Sequence, residues 1–304
     1  MYLDHFGLKE YPFKLTPNTS FYVKLPSHSE AFEVLKTALD MGEGFIKVTG
    51  EVGTGKTLIC RKLLNEMPEQ FVAAYIPDPC LNPMELRRAL AHELELPCKD
   101  EIDSQQLMHA LQSHLVTLAR TGKSVVLIVD EAQALPFESL EALRLFTNLE
   151  TEQNKLVQVV LFGQTELDQR LEQSELRQLR QRITFSYKLK PLDEEQVSRY
   201  VDRRLITAGF DDSKPLFSQA MIKALTHASR GVPRLLNVLC HKALMLCYGQ
   251  GKKEILRAHI DAAIADTEDV TTPAPGSSKW TIVGIFAVGF IAGLGAVWLS
   301  GGFG

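Results

Sequence analysis

The sequence has little of what marks disulfide-bonded, secreted or nucleic-acid-binding proteins. Its five cysteines are odd in number, widely spaced and without a C-x-x-C pair, which favours a reduced compartment. The N-terminus has no positively charged start followed by an apolar core, so we expect no cleaved secretion signal. There is no long run of Lys and Arg, and the formal net charge is −4, so the chain lacks the electrostatic footprint of a nucleic-acid-binding protein.

The remaining composition is that of an ordinary globular protein, with 45% hydrophobic and 23% charged residues. One apolar segment stands apart. Residues 280–300, WTIVGIFAVGFIAGLGAVWLS, contain no charge, and at ~1.5 Å per residue a helix of this length matches the ~30 Å hydrocarbon layer of a membrane. The segment predicts a single membrane-spanning helix, preceded by a linker at 267–279 that is rich in Thr, Pro, Ser and Gly.

A glycine-rich loop, GEVGTGKT at residues 50–57, lies between a predicted strand and a predicted helix. A glycine, four residues and then Gly-Lys-Thr in this context predict a phosphate-binding loop. Its glycines let successive backbone N–H groups point at phosphate oxygens, next to the positive end of the helix. We expect Lys56 to reach the β- and γ-phosphates and the Thr57 hydroxyl to ligate Mg²⁺. The predicted nucleotide-binding residues are Gly50, Glu51, Val52, Gly53, Thr54, Gly55, Lys56, Thr57 and Leu58.

Two carboxylates follow a strongly apolar strand that runs from Val125 to Val129. Five consecutive β-branched or Leu residues predict a strand buried on both faces, and ligands gather at the carboxyl ends of such strands. Asp130 is therefore placed to hold Mg²⁺, directly or through water, and Glu131 to activate the attacking water as a general base. Alone, such a pair is as often a helix N-terminal charge, but the phosphate loop earlier in the chain favours the catalytic interpretation.

Four further polar residues are candidates for contact with nucleotide. Gln164 follows a buried strand, from which its side chain could reach both the γ-phosphate and the attacking water; the alternative is a surface loop amide. Arg182, just before the last strand, is the first candidate to project into a neighbouring subunit's nucleotide and Arg180 the second, while a solvated helix face is the alternative for both. Arg234 opens a helix, where the dipole disfavours a cation, which indicates a nearby anion, or else packing or an exposed salt bridge.

The order of strands and helices predicts an α/β protein with a parallel sheet covered on both faces. Strands are expected at 45–49, 71–76, 125–129, 156–162 and 184–189, and the pattern is wholly helical from Pro191 onward. The predicted units are an N-terminal extension at 1–44, an α/β core at 45–190, a helical domain at 191–266, the linker at 267–279 and the span at 280–300. The extension, rich in aromatic residues and proline, either packs its aromatics over the edge of the core or lies in part beside the nucleotide base.

Together these motifs resemble AAA+ ATPases, and specifically the ExeA/GspA type of general secretion. The resemblance covers nearly all of residues 1–266. It rests on the "FGL…PF…TP" run near the N-terminus, GEVGTGKT at 50–57, VLIVDEAQ at 126–133, LFGQ at 161–164, LRQLRQR at 176–182 and GVPRLLN at 231–237. Within this type, the members that serve the mannose-sensitive haemagglutinin pilus, a type IV pilus, are the most similar. Secretion members continue past the membrane into a peptidoglycan-binding domain, whereas only four residues follow Ser300, so we expect the pilus-type role.

The resemblance implies a P-loop NTPase fold, a three-layer α/β/α parallel sheet with a C-terminal all-α lid domain and one C-terminal transmembrane helix. The strand that ends at Gln164 would lie between those that carry the phosphate loop and the carboxylate pair. In that family's pattern Asp130 and Glu131 form the Walker B motif, Gln164 is sensor 1, Arg180 or Arg182 is the arginine finger, and Arg234 is sensor 2.

The function expected from these observations is hydrolysis of Mg²⁺-ATP by a protein anchored in the inner membrane with its ATPase part in the cytoplasm, where Lys279 borders the span. Its expected partners are membrane proteins of a pilus or secretion apparatus and further copies of itself, forming a homo-oligomer or ring. The alternative is a DNA-associated AAA+ ATPase of transposition or replication initiation, although the chain has neither the basic arm nor the helix-turn-helix module usual there. A nucleotide-dependent scaffold that hydrolyses ATP negligibly is the third hypothesis.

Overall fold

The computed structural model describes residues 2–97, 102–150, 155–211 and 214–271. The predicted membrane span at 280–300 and most of the predicted linker lie outside these residues. Within the described ranges, no helix combines the length and the apolar character needed to cross a membrane.

Five parallel strands form one sheet in the order β2-β3-β4-β1-β5. They are β1 (Phe45–Thr49), β2 (Phe71–Ile76), β3 (Ser124–Val129), β4 (Val157–Gly163) and β5 (Ile183–Lys188). The order confirms that β4, which leads to Gln164, lies between β1 and β3. Because the strands are parallel, their carboxyl ends bring the phosphate loop, the carboxylate pair and Gln164 to the same edge.

Twelve α-helices are described around and after this sheet. The first eight are α1 (Tyr2–Phe6), α2 (Pro26–Asp40), α3 (Lys56–Asn65), α4 (Pro83–Glu93), α5 (Ser104–Arg120), α6 (Phe137–Phe146), α7 (Thr165–Leu171) and α8 (Arg177–Arg182). The last four, here called the lid, are α9 (Glu194–Thr207), α10 (Gln219–Ser229), α11 (Pro233–Gly249) and α12 (Arg257–Ala265). Short 3₁₀ turns occupy Thr19–Phe21, Ala132–Ala134 and Ser174–Leu176.

The apolar run of β3 is buried on both faces, as its composition predicts. Val125, Leu127 and Val129 face a core shared with α4, α5 and α6. Val126 and Ile128 point the opposite way, into a core shared with α2 and α3, because successive side chains of a strand alternate between its faces. The sheet is therefore the middle of three layers, and its carboxyl edge is held rigidly from both sides.

The N-terminal 44 residues pack in two directions. The aromatic side chains of Tyr2, Phe6, Phe13 and Phe21 are buried among the lid helices. In contrast, α2 packs with α3 and the sheet through apolar side chains such as Ala31 and Leu35. These four aromatics are buried against the lid, whereas one of the two sequence interpretations has them packed over the edge of the core.

A glycine closes the junction between the sheet and the lid. Gly231 has a φ of 72°, and its carbonyl accepts a hydrogen bond of 2.9 Å from the backbone N–H of Leu192. A Cβ atom on Gly231 would lie 2.0 Å from the carbonyl oxygen of Leu192. Only glycine fits this position, because both the backbone angle and the close approach exclude a side chain.

We expect Gly231→Ala to destabilise the protein far more than Gly251→Ala. Gly251 has a similar φ of 66°, and a Cβ there would meet nothing within 4 Å. Both substitutions carry the left-handed strain of about 1–2 kcal/mol, but the alanine at 231 also collides with backbone, which adds about 1–3 kcal/mol. Urea-denaturation midpoints measure the difference. Equal midpoints for the two variants would show that the backbone at the junction can move to accommodate the alanine with no loss of stability.

Candidate nucleotide-binding site

A cavity of about 310 Å³ lies where the carboxyl edge of the sheet meets the lid. The phosphate loop, the carboxyl ends of β3 and β4, the N-terminal segment and two lid helices each contribute to its wall. The lining residues are Lys14, Leu15, Thr16, Pro17, Asn18, Val52, Gly53, Gly55, Lys56, Thr57, Leu58, Glu131, Gln164, Tyr200, Arg204, Pro233, Arg234 and Asn237. Nine candidates from the sequence therefore share one cavity: Val52, Gly53, Gly55, Lys56, Thr57, Leu58, Glu131, Gln164 and Arg234.

The phosphate loop ends in the uncapped N-terminus of α3. Gly55 is the N-cap residue, in the left-handed region at φ 101°, and no side chain caps the helix. Within the described part of the chain, the N–H groups of Gly55, Lys56 and Thr57 donate to no backbone or side-chain acceptor. Unpaired N–H groups at a helix start, where the dipole is positive, form a site for an anion such as a phosphate group.

Lys56 is held over this loop by the loop's own backbone. Its Nζ donates to the carbonyl oxygens of Gly50 at 2.9 Å and Glu51 at 3.0 Å. Burial lowers the pKa of Lys56, and the carboxylates of Glu131 and Asp130 oppose that shift. The ammonium group is thus fixed in place by neutral oxygens, and no carboxylate of the described residues forms an ion pair with it.

Asp130 lies beneath the cavity, next to Thr57. Its side chain is only 3% exposed and accepts a 3.0 Å hydrogen bond from the N–H of Glu131. Burial raises the pKa of Asp130, and a hydrogen bond with the Thr57 hydroxyl works against that rise. A hydroxyl beside a carboxylate suits Mg²⁺, which takes oxygen ligands and commonly uses only one or two protein groups with substrate phosphates and waters. Among the described residues no cluster of three or more His, Cys, Asp or Glu side chains forms an all-protein cage.

Glu131 sits in a strained and well-supported position. Its φ of 48° is left-handed, and its Oε2 accepts hydrogen bonds from Gln133 Nε2 at 2.6 Å and Gln164 Nε2 at 3.1 Å. Burial acts to raise its pKa, but these two amide donors and Lys56 outweigh that effect and the pKa is lowered. The Glu131 carboxylate is therefore ionised and held in one orientation, and a general base needs both properties.

Gln133 is a site residue that the sequence analysis did not single out. Its Oε1 accepts a 2.9 Å hydrogen bond from the N–H of Gln164, and its carbonyl oxygen accepts one of 2.5 Å from Arg170. Gln133 thus ties the ends of β3 and β4 together and orients Glu131. Its signals were its place four residues after Val129 and its position at the end of the VLIVDEAQ motif, and a single sequence does not separate it from a surface amide.

Arg234 brings the lid into contact with the phosphate loop. It lies at the start of α11, and its N–H donates to the carbonyl oxygen of Gly53 at 3.2 Å. A Cβ on Gly53 would come 2.5 Å from the Cβ of Arg234, so the two segments touch directly. Arg234 thus lies in the wall of the cavity, directly beside the phosphate loop.

The two candidate finger arginines do not line the cavity of their own chain. Arg182 donates from Nη1 to the Thr147 hydroxyl at 3.0 Å. Arg180 is exposed on α8, and no described residue forms a hydrogen bond or ion pair with its side chain. The structure therefore separates both arginines from the cavity and leaves Arg180 free to meet another molecule.

Residues 12–18, here called the N-terminal strap, contact the lid, and the sequence did not predict this contact. Buried Arg204 of α9 donates from Nε to the Pro12 carbonyl at 2.6 Å and from Nη2 to the Lys14 carbonyl at 3.3 Å. Its Nη1 donates to the Tyr200 hydroxyl at 3.0 Å, which in turn donates to Asn237 at 2.9 Å. The strap is fixed to the lid beside the phosphate loop, which supports the sequence interpretation that part of the N-terminal segment lies beside the nucleotide.

Comparison with known proteins agrees with this geometry. Residues 39–171 match the family model of the AAA domain. General secretion pathway protein A of Aeromonas hydrophila is 41% identical over 270 residues, which are 89% of this chain and 49% of that protein. The chain therefore spans about half the length of this curated relative.

Solved structures with the same fold include two proteins of Aeropyrum pernix. The ORC1 protein in complex with DNA has a TM-score of 0.62 and 19% identity, covering 84% of this chain and 69% of that one. The ORC2 protein in its ADPNP-ADP complexes has a TM-score of 0.59 and 13% identity, covering 85% and 73%. At these identities the likeness establishes the fold alone.

Proposed function

We propose that this chain, an ATPase with an AAA domain at residues 39–171, binds Mg²⁺-ATP between its phosphate loop and its lid and couples hydrolysis to assembly of an envelope apparatus. The observation that carries the ATPase chemistry is the convergence of Lys56, Glu131, Gln164 and Arg234 on one cavity. The 41% identity to a general secretion protein supports the envelope role. We assign the apparatus to the type II secretion and type IV pilus class, with the pilus of the mannose-sensitive haemagglutinin kind as the specific proposal.

Phosphate recognition rests on the loop and its lysine. The unpaired N–H groups of Gly55, Lys56 and Thr57 would donate to phosphate oxygens, and the buried ammonium of Lys56 would neutralise their charge. The Thr57 hydroxyl and Asp130 would hold Mg²⁺, which would neutralise phosphate charge. Residues of the strap would contact the nucleoside, since Lys14 to Asn18 line the same cavity.

Hydrolysis rests on the pair Glu131 and Gln164. An ionised carboxylate accepts the proton of the attacking water, and the lowered pKa of Glu131 keeps it ionised. Gln164, hydrogen-bonded to Glu131 at 3.1 Å, would orient the same water and the γ-phosphate. Arg234 would bind the γ-phosphate from the lid. Because its backbone already contacts Gly53, loss of that phosphate would change the position of α11 relative to the phosphate loop.

We expect Arg180→Ala to lower ATP turnover by about 10³-fold, the lower end of the effect of an arginine finger, while ATP affinity stays unchanged. The exposed, unpaired Arg180 suits a contact with a neighbouring copy better than Arg182, which is bound to Thr147. Arg177→Ala, an exposed arginine on the same helix, is the matched control and should retain turnover. Phosphate release at saturating ATP is the measurement.

A mixing experiment tests whether Arg180 acts between subunits. The Arg180→Ala variant keeps an intact phosphate loop, and a Lys56→Ala variant keeps an intact finger. If the finger acts in trans, mixed oligomers regain turnover that neither variant has alone. A larger loss for Arg182→Ala than for Arg180→Ala, or no recovery on mixing, would contradict this assignment.

Membrane anchoring is the second part of the proposal. The uncharged run at 280–300 supports a single span, and the need for cytosolic nucleotide supports a cytoplasmic ATPase part. The full chain should remain in membranes after a carbonate wash, whereas a chain ended after Thr271 should be released. Release of both forms would remove the anchor from the proposal.

Copurification tests the envelope role. We expect integral membrane proteins of an assembly apparatus to be retained on the full-length chain in ATP and released in ADP, and a Lys56→Ala variant to retain none. Salt-dependent retention of DNA, with no membrane protein bound, would instead support the DNA-associated class of AAA+ ATPase.

A further inference from the structure

A buried histidine outside the cavity contacts the phosphate loop. His28 lies in the first turn of α2, is 4% exposed, and its Nε2 is 2.8 Å from the carbonyl oxygen of Thr54. A carbonyl oxygen only accepts hydrogen bonds, so Nε2 carries the proton. His28 Nδ1 is buried without a hydrogen-bond partner, and burial lowers the pKa of the ring. The ring is therefore neutral, in its Nε2–H form.

This bond fixes the direction of one peptide group in the loop. The peptide between Thr54 and Gly55 is trans and planar, so its C=O and its N–H point in opposite directions. The C=O faces His28, which does not line the cavity, whereas Gly55 does line it. The N–H of Gly55, which has no acceptor in the described chain, is consequently turned away from His28 and toward the cavity side.

We infer that His28 is a positioning residue for phosphate binding, which holds the Gly55 N–H in the direction that a nucleotide phosphate requires. The ring packs tightly enough that a Cβ on Gly55 would lie 2.7 Å from its Nε2. This inference rests on the proposed function of the loop.

The conformational freedom of Gly55 explains why the loop needs the hydrogen bond from His28. Gly55 adopts φ 101°, and glycine populates both signs of φ readily, so the loop has no intrinsic preference that keeps this peptide in one orientation. A flipped peptide would aim a carbonyl oxygen at the phosphate. The hydrogen bond to His28 removes that alternative before ligand arrives, which is the general route by which preorganisation raises affinity.

Calorimetric titration of the full-length protein with Mg²⁺-ATP and Mg²⁺-ADP tests the inference. We expect His28→Leu, which keeps apolar bulk and removes the donor, to weaken both nucleotides by about tenfold. His28→Gln, which retains an N–H donor on a flexible side chain, should recover a large part of that loss. His241→Leu is the control, because His241 is half-buried in the lid and bonded to the Tyr2 hydroxyl, remote from the loop; its affinity should equal that of the wild type.

The outcomes separate this inference from the function on which it rests. If the wild type and Lys56→Ala bind ATP equally, the proposed phosphate loop is wrong. If Lys56→Ala loses ATP but His28→Leu binds it like the wild type, or if Gln rescues nothing, His28 has no positioning role. Nitrogen NMR of labelled histidine in the wild type gives a reading that no variant's folding affects: an Nδ1–H tautomer at His28 would overturn the inference.

Discussion

Lys56→Ala is expected to lower ATP affinity by about 10²- to 10⁴-fold, the worth of two charge-assisted hydrogen bonds to phosphate, and to leave no measurable turnover. The ammonium group is buried and already held by the carbonyl oxygens of Gly50 and Glu51 at 2.9 and 3.0 Å. The variant therefore loses both the charge that phosphate requires and the bonds that shape the empty loop. Calorimetric titration with Mg²⁺-ATP measures the loss.

Lys62→Ala is the matched control for this prediction. Lys62 lies on the same helix, α3, with 17% of its side chain exposed, and forms an ion pair with Glu66 one turn away. Its ammonium group also lies over the rings of Tyr22 and Phe32. Neither Lys62 nor these partners line the cavity, so its removal should leave ATP affinity within about twofold of the wild type. If Lys56→Ala binds ATP tightly and the thermal midpoint of the nucleotide-free protein is unchanged, the loop is not part of the ATP-binding site.

The sequence predicts those site residues that act through their side chains and lie next to a strand or helix with a clear apolar pattern. β3 is recognisable because its apolar run is continuous, and Asp130 and Glu131 because they end that run. β1 and α3 frame the glycine-rich loop in the same way. The sheet order, in contrast, came from resemblance, because the pattern of each strand says nothing about its neighbours.

Several contacts that the sequence did not predict use the main chain of one partner. Arg204 binds the carbonyl oxygens of Pro12 and Lys14, and His28 binds that of Thr54. Every residue has a carbonyl oxygen, so no residue type at the accepting position signals such a bond. A histidine or arginine that acts in this way is identified only when the fold brings its partner near.

The proposed arginine finger was left unassigned for a different reason. A residue that acts in a neighbouring copy has no partner within its own chain, so both sequence and single-chain geometry leave it unassigned. What the structure adds is a difference in availability, because Arg182 is bound to Thr147 and Arg180 is exposed. That difference, rather than a contact, supports placing Arg180 before Arg182, which reverses the order expected from the sequence.

The adjacent carboxylates are set apart by their surroundings. Asp130 is buried and its pKa is raised, whereas the pKa of Glu131 is lowered by Gln133, Gln164 and Lys56 against its own burial. Opposite pKa shifts in neighbouring carboxyl groups are typical of sites that assign two roles to two acids.

Glu131→Gln is accordingly expected to bind ATP like the wild type and to hydrolyse it about 10⁴-fold more slowly, the upper range for loss of a general base. The substitution keeps the volume and one oxygen that accepts from Gln133 and Gln164, so the geometry of the strand end survives. What disappears is the negative charge that takes the proton from water. Phosphate release measures turnover, and nucleotide retained through gel filtration measures binding.

A second acidic residue provides the matched control for the loss of turnover in Glu131→Gln. Glu166→Gln removes an exposed carboxylate from α7 that lies close enough to influence Lys56 electrostatically but does not line the cavity, so its turnover should stay near that of the wild type. ATP trapped on Glu131→Gln alone then assigns the base to Glu131 and not to the general charge of the region. Normal turnover by Glu131→Gln would mean that another group activates the water, and that the strained φ of 48° at Glu131 serves Gln133 and the loop rather than the reaction.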